Sequence, residues 1–171
     1  VNLLRPLFVA RPELHLLIGG DGPLRAMLAE QAETLRMQER IHILGNRLDV
    51  PQLLAASDIF ILVSRVETFG IAAVEAMMAG KAVVASRTPG LDEVVKPGHT
   101  GILVDEASLA MEFAPAVAGL LDDPVLRARM GAAARERATV LYAREHVVKR
   151  ILKVYARVLA AKSKEMEIES S

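Results

Sequence analysis

Two glutamates stand out for the chemistry they could do together. Glu67 lies in Ser64-Arg65-Val66-Glu67-Thr68-Phe69-Gly70-Ile71, after an apolar run that ends at Val63 and before a stretch of helical spacing that closes at Gly80. Glu75 follows, with seven residues between the two. Thr68 is the expected N-cap of that helix, which leaves the N–H groups of Phe69, Gly70 and Ile71 pointing out of the helix start. Donors at the positive end of a helix dipole suit a phosphate, and Gly70 lets a ligand approach the backbone closely. Carboxylates accept hydrogen bonds from both hydroxyls of a vicinal diol, as found on ribose or a hexose. Phosphate donors flanked by two carboxylates therefore match the layout of a nucleotide sugar, whose phosphates lie between two sugars. Each glutamate also has a plainer reading. Glu67 can be a solvated loop acid. Glu75 is harder to dismiss, because its neighbours from Ile71 to Ala79 are all apolar and a lone buried acid is costly unless paired.

Other chemistries find less support. Gly20-Asp21-Gly22-Pro23-Leu24-Arg25 begins like a dinucleotide fingerprint, but Arg25 stands where the third glycine belongs and would obstruct close helix–strand contact. No Walker A sequence is present. With no cysteine there is neither a disulfide nor a thiolate zinc site. The four histidines, His15, His42, His99 and His146, are scattered and read as structural or exposed. No metal site is expected.

The elements that must position the glutamates follow from periodicity. Strands are expected over Leu14–Ile18, Ile41–Leu44, Ile59–Val63, Ala82–Ala85 and Ile102–Val104. Helices are expected to end near Ala10, to run from Pro23 to Arg36, from an Asp49 cap to Ala56, and from Phe69 to Ala79. A short turn over Leu91–Val95 and helices over Ser108–Leu121, Pro124–Thr139 and Arg144–Ala161 complete the pattern, with a frayed tail over residues 162–171. Continuous apolar strands alternating with helices imply one parallel, doubly wound α/β sheet covered on both faces. Ligands of such sheets bind beyond the carboxyl ends of the strands, here the loops Gly19–Pro23, Gly45–Asp49, Ser64–Gly70 and Ser86–Gly90.

The chain has 171 residues, 52% hydrophobic and 25% charged, which fits a single domain (1–171) and excludes disorder. Its apolar runs are far shorter than the ~20 residues of a spanning helix. No signal-peptide pattern opens it, so the expected location is cytoplasmic. The first residue is not methionine, which reads as a fragment. The zero net charge hides an asymmetry. Arg127 to Lys164 holds eleven Lys/Arg and two Glu, a net of +9, and the rest is −9. Such a split suits an anionic partner or, more plainly, solvated terminal helices.

Glu67-x-Phe69-Gly70…Glu75-Ala76-Met77-x-Ala79-Gly80, followed by Ala82-Val83-Val84-Ala85, resembles the core signature of the retaining family-four ("group one") glycosyltransferases of GT-B fold. Leu17-Ile18-Gly19-Gly20-Asp21-Gly22-Pro23, Ile41-His42-Ile43-Leu44-Gly45, Ala55-Ala56-Ser57-Asp58, Pro89-Gly90-Leu91-Asp92-Glu93-Val94-Val95 and Gly98-x-Thr100-Gly101-x-Leu103-Val104 resemble further family segments in the same order. The resemblance spans about Leu14 to Tyr155. It implies the C-terminal, donor-binding Rossmann-like half of a two-domain enzyme that transfers a hexosyl group from a UDP-, GDP- or ADP-linked sugar. By that resemblance Glu67 is the catalytic-site carboxylate on the transferred sugar, and Phe69, Gly70 and Ile71 give backbone contacts to sugar and phosphate. Glu75 binds the ribose, Gly45-Asn46-Arg47 lies near the base, and Gly90 shapes the site floor. The reaction the resemblance implies retains anomeric configuration, with the acceptor attacking on the departing phosphate's face and no metal or other cofactor required.

This sequence departs from the family in several places. The family's Arg and Lys on the diphosphate have no counterpart in Arg5 or Arg11, and the acceptor-binding N-terminal domain is absent, so the chain alone is expected to bind donor weakly and to catalyse little. Val63 and Ala82 stand where the family often has proline. Pro89 replaces a glycine and removes one N–H donor. The last helix carries Val147, Val148, Ile151, Leu152, Tyr155, Val158 and Leu159 on one face, with Lys149, Arg150, Lys153 and Arg157 mostly off it. It can pack on the sheet, return toward the N-terminal domain, or lie on anionic lipid as a peripheral membrane contact. Rival functions are a nucleotide-sugar epimerase of GT-B architecture and a non-catalytic nucleotide-binding module. Nucleic-acid binding is not expected, since the basic stretch offers only Tyr142 and Tyr155 for stacking.

Overall fold

A computed structural model describes the backbone of residues 1–169 and the side chains of residues 1–160. A 3-10 turn over Asn2–Leu4 leads into α1 (Arg5–Ala10), then β1 (Leu16–Gly19), α2 (Arg25–Thr34), β2 (Ile41–Gly45), α3 (Val50–Ala56) and β3 (Ile59–Leu62). The chain continues through α4 (Ile71–Met78), β4 (Ala82–Ser86), α5 (Pro89–Val94), β5 (Gly101–Val104), α6 (Leu109–Asp122), α7 (Pro124–Tyr142) and α8 (Arg144–Glu169). All five expected strands form, each within about two residues of its predicted bounds.

Every strand pairing is parallel, but the strands fall into two sheets where the sequence predicts one. β1 pairs with β2, and β4 lies between β3 and β5. In a doubly wound order a central strand joins the two halves. Among the described residues no strand joins β1 to β3, and each keeps an edge unpaired. What unites the sheets is the core. Strand side chains alternate between faces, and the alternation sorts them cleanly. Ile59, Ile61, Ala82, Val84, Ile102 and Val104 enter one apolar layer with Leu16, Ile18 and Ile43 of the other sheet and with Phe8, Phe113 and Leu120 of α1 and α6. Phe60, Leu62, Val83, Ala85 and Leu103 face the opposite layer, built on α4, α5 and α7 through Met77, Leu91, Val94 and Ala134. β4 is therefore buried on both faces, as its uninterrupted Ala-Val-Val-Ala run predicts.

Helix starts are less regular than predicted. α2 begins at Arg25, so Pro23 lies before the helix and not at its first position. Asp49 occupies the N-cap position of α3 without a side-chain cap bond. The expected turn at Leu91 is a helix beginning at Pro89, where the Thr88 hydroxyl accepts a hydrogen bond from the Leu91 N–H at 3.4 Å. Asp123 caps α7 by accepting from the Leu126 N–H at 2.8 Å. α8 runs to Glu169, past the predicted end at Ala161; of the tail expected to fray, residues 170 and 171 lie outside the described residues. Over its described side chains the helix does not pack on the sheet. All its residues from Ile151 to Ala160 are exposed, because it leaves the body after Tyr142 and only Val147 is half-buried.

α7 packs on α4 so closely that a Cβ on Gly131 would lie 2.1 Å from the Gly80 carbonyl oxygen. Backbone cannot yield as a side-chain tip can, so Gly131→Ala should destabilise the chain by about 1–3 kcal/mol. At this chain length, each kcal/mol lowers the melting temperature by roughly 2–4 °C. A thermal melt within 1 °C of wild type would contradict this close approach.

Candidate functional site

The Glu67 loop leaves the carboxyl end of β3 and enters α4. Its register is fixed from below by Ser86, a buried hydroxyl at the end of β4. Ser86 Oγ accepts from the Ser64 N–H at 2.8 Å and donates to the Ser64 carbonyl at 2.7 Å. α5 presses on the loop from the side. The Gly90 N–H donates to the Glu67 carbonyl at 3.2 Å, and a Cβ on Gly90 would lie 2.5–2.6 Å from backbone atoms of Glu67, Thr68 and Phe69. Gly90 thus supports the loop at contact distance.

The helix start differs from expectation. Gly70, not Thr68, is the N-cap of α4, with φ +91°, a conformation that L side chains rarely adopt. Leu91 of α5 fills the space a Cβ would need there, at 2.8 Å. The N–H groups of Phe69 and Gly70 are not free. Glu67 Oε1 turns back and accepts from Gly70 at 3.0 Å and, more weakly, from Phe69 at 3.4 Å. The loop's own carboxylate therefore stands at the anion-seeking end of α4, and any ligand group that takes these donors must displace it.

Glu75 corrects a second expectation. It is exposed, on the outer face of α4 with Ile71 and Ala72, while Ala73, Val74, Ala76 and Met77 turn inward. The burial cost that made it conspicuous in the sequence does not arise. Among the described residues its carboxylate has no hydrogen-bond or ion-pair partner. It remains on the helix that starts at the Glu67 loop, about one turn along and open to solvent.

Gly45, Asn46 and Arg47 lie at the carboxyl end of β2, in the other sheet. Gly45 adopts φ +66° and its carbonyl accepts from the Gly20 N–H at 2.9 Å, tying the two glycine loops together. The Arg25 guanidinium lies against Gly45, where a Cβ would come within 3.3 Å of it. The Arg47 guanidinium is held by Asp49, at 2.7 and 2.6 Å, and those hydrogen bonds put the Asp49 carboxyl below its ordinary value. Asn46 is exposed. The structure thus joins Glu67, Phe69, Gly70 and Gly90 in one contact group, places Ile71 and Glu75 on the helix that leaves it, and sets Gly45-Asn46-Arg47 on a separate loop at the same end of the strands.

Sequence reading singled out the segments that hold Ser86, Arg87 and Leu91, and named Tyr142 only as an aromatic, but gave none of the four a part in bracing the loop. Arg87 donates to Asp105 at 2.6 Å and to Asp92 at 2.5 Å, and the Asp105 bond is the main cause of its raised pKa. Phe69 packs edge-on against Tyr142, with centroids 5.5 Å apart, and Tyr142 donates to the Glu93 carbonyl at 3.4 Å. A cavity of about 620 Å³ opens behind Phe69, between Ile71, Val147 and Arg150. Neither Glu67 nor Glu75 lines it, so it is not the space between the two carboxylates. Among the described residues, no three His, Asp or Glu side chains converge on one point, and no helix is long and apolar enough to cross a membrane.

Parallel strands backed by helices, with glycine loops and a carboxylate-bearing loop at their carboxyl ends, define a Rossmann-like α/β fold. The family model "Glycosyl transferases group 1" matches residues 3–137, and the chain belongs to this family. It is 33% identical over 151 residues to N-acetyl-alpha-D-glucosaminyl L-malate synthase of Bacillus anthracis, covering 88% of this chain and 39% of that protein. It is 41% identical over 146 residues to D-inositol 3-phosphate glycosyltransferase of Corynebacterium glutamicum, covering 81% and 35%. Among solved structures it resembles Anabaena Alr3699/HepE in complex with UDP and glucose, with TM-score 0.80 and 27% identity over 91% of this chain and 44% of that one. It also resembles sucrose-phosphate synthase from Thermosynechococcus elongatus, with TM-score 0.81 and 27% identity over 94% and 42%. The chain spans about two fifths of the length of these relatives. The fold is that of a GT-B half-domain.

Proposed function

We propose that this chain is the donor-binding domain of a retaining glycosyltransferase that moves a hexosyl group from a nucleotide diphosphate to an acceptor. The observation that carries this is the Glu67–Gly70 loop. Two backbone donors stand at the start of one helix with Glu67 against them and Glu75 about one turn further along, and the loop is braced by Gly90 and Ser86 at the carboxyl end of the sheet. The complexes of Anabaena Alr3699/HepE with UDP-glucose support a nucleotide sugar as the ligand class.

In this reading the sugar's hydroxyls take Glu67 as partner, and the diphosphate or the adjoining sugar oxygen takes the Phe69 and Gly70 N–H groups that Glu67 gives up. Ile71 lies at the same helix start. Glu75 receives the ribose hydroxyls, and its exposure leaves both oxygens open to them. The base lies at Gly45-Asn46-Arg47. Arg47 meets it through its backbone or its aliphatic stem, since its guanidinium is committed to Asp49. The chain contributes positioning and charge stabilisation, not a nucleophile. The acceptor enters from a second domain on a longer chain. The exposed apolar face of α8 is suited to dock there, with Lys149, Lys153 and Arg157 turned away or toward an anionic membrane surface in the cytoplasm.

The test is a calorimetric titration with UDP, GDP, ADP and their sugar conjugates, with Glu75→Gln in parallel. Loss of a charge-assisted bond to ribose should weaken the preferred nucleotide roughly 10- to 100-fold. Affinity unchanged in the variant would remove Glu75 from the site.

A further inference from the structure

The four histidines are scattered in the sequence, yet the fold brings two of them together. His15, immediately before β1, and His42, in β2, meet across the ladder that pairs Leu16 with Ile41 and Leu17 with His42. His15 Nδ1 lies 3.0 Å from His42 Nε2. The ring planes differ by 12° and the centroids are 5.3 Å apart. The centroids are thus farther apart than the nitrogens, so the rings meet edge to edge, one donating its N–H and the other accepting. His15 is exposed and His42 half-buried, on the sheet face that also carries the exposed Leu17.

We propose that His15 and His42 form a two-imidazole clip for a late first-row divalent cation, with copper(II) or nickel(II) favoured over zinc(II). The warrant is the placement. The ladder sets two imidazoles side by side on one sheet face, close enough for a single cation to reach both. With two protein nitrogens and water completing the shell, the divalent order and the tetragonal preference favour copper(II), then nickel(II), over zinc(II). The 3.0 Å nitrogen spacing is that of the hydrogen bond, which a cation must replace. Each ring has to pivot so that its lone pair leaves the nitrogen–nitrogen line, a motion about the soft terminal side-chain torsion. The proton between the rings moves to the far nitrogen of its own ring through solvent, so both near nitrogens can ligate without net proton release. The backbone ladder holds the two Cα positions while the rings turn. With no third carboxylate or imidazole converging among the described residues, the remaining positions on the cation stay with water. The clip lies at the amino end of β1, whereas the glycine loops and Glu67 lie at the carboxyl ends. It stands independently of the donor-binding reading.

The test titrates this chain with copper(II), nickel(II) and zinc(II) chlorides, read by calorimetry and, for copper, by paramagnetic broadening of amide signals. One copper per chain is expected, bleaching signals from Leu16–Ile18 and Ile41–Ile43 first, with zinc binding more weakly than nickel. His15→Gln and His42→Gln should each weaken copper at least ~10-fold, as loss of one of two ligands requires, while His99→Gln and His146→Gln leave it unchanged. Broadening centred elsewhere overturns the proposal. So does affinity within twofold of wild type in both His15→Gln and His42→Gln, which would mark the binding as adventitious. The melting temperatures of the variants separate loss of a ligand from loss of the fold.

Discussion

In the proposed reading, Gly90→Ala is expected to cost about 10²-fold in sugar transfer by an enzyme that carries this domain and to weaken donor binding by this chain. A methyl group on Gly90 would stand 2.5 Å from the Glu67 oxygen and the Thr68 carbonyl carbon and 2.6 Å from the Phe69 nitrogen. Three consecutive backbone units must then retreat, and none of them can do so by a rotamer change. The retreat also breaks the 3.2 Å bond from the Gly90 N–H to the Glu67 carbonyl. It moves both Glu67 and the N–H groups that open α4. A displacement near 1 Å at a positioning group is enough for ~10²-fold in rate. Overpacking adds about 1–3 kcal/mol of instability, so the comparison has to be made well below the melting temperature. Gly131→Ala is the control, since it overpacks the α4–α7 contact away from the loop. If Gly90→Ala lowers stability as Gly131→Ala does but leaves donor affinity and transfer within twofold of wild type, the loop is not held by α5 as described.

How far the sequence could lead depended on whether the relevant forces were local. Apolar runs made all five strands legible, because a strand buried on both faces needs no alternating pattern and Ala82–Ala85 has none. The loop carrying Glu67 was legible for the same reason: it had to begin where β3 ended. The helix start was not. Thr68 has the right chemistry for a cap, but Leu91 of α5, more than twenty residues on, packs where a Cβ of residue 70 would lie, and the positive φ of Gly70 makes it the cap instead. Glu75 shows a different limit. Composition around it is apolar throughout, yet small residues such as Ala72 and Ala79 can face water at little cost, so the helix presents Glu75 outward with them. Nor does local pattern encode which strands share a ladder. The separation of β1–β2 from β3–β4–β5 and the meeting of His15 with His42 both emerge from strand register.

Replacing Glu67 should move two measurements in opposite directions. In the structure its carboxylate accepts from the Gly70 N–H at 3.0 Å and from Phe69 at 3.4 Å. Those are the donors that a bound nucleotide sugar claims in the proposed reading, so binding is an exchange. The ligand takes the N–H groups, and Glu67 must find new partners. A sugar supplies them through its hydroxyls, whereas a bare nucleoside diphosphate does not. Glu67→Ala removes the internal competitor and its negative charge, so UDP or its counterpart with the preferred base should bind up to ~10-fold more tightly than to wild type. The sugar conjugate loses a charge-assisted bond worth roughly 10- to 100-fold, and transfer by the longer enzyme should fall by at least that much. The ratio of the two affinities is the informative quantity, since a misfolded variant would weaken both together. Glu75→Gln gives the contrast, because ribose is common to both ligands and their affinities should fall in parallel. If Glu67→Ala weakens the bare diphosphate as Glu75→Gln does, the carboxylate supports the anion site instead of competing for it, and the exchange is wrong.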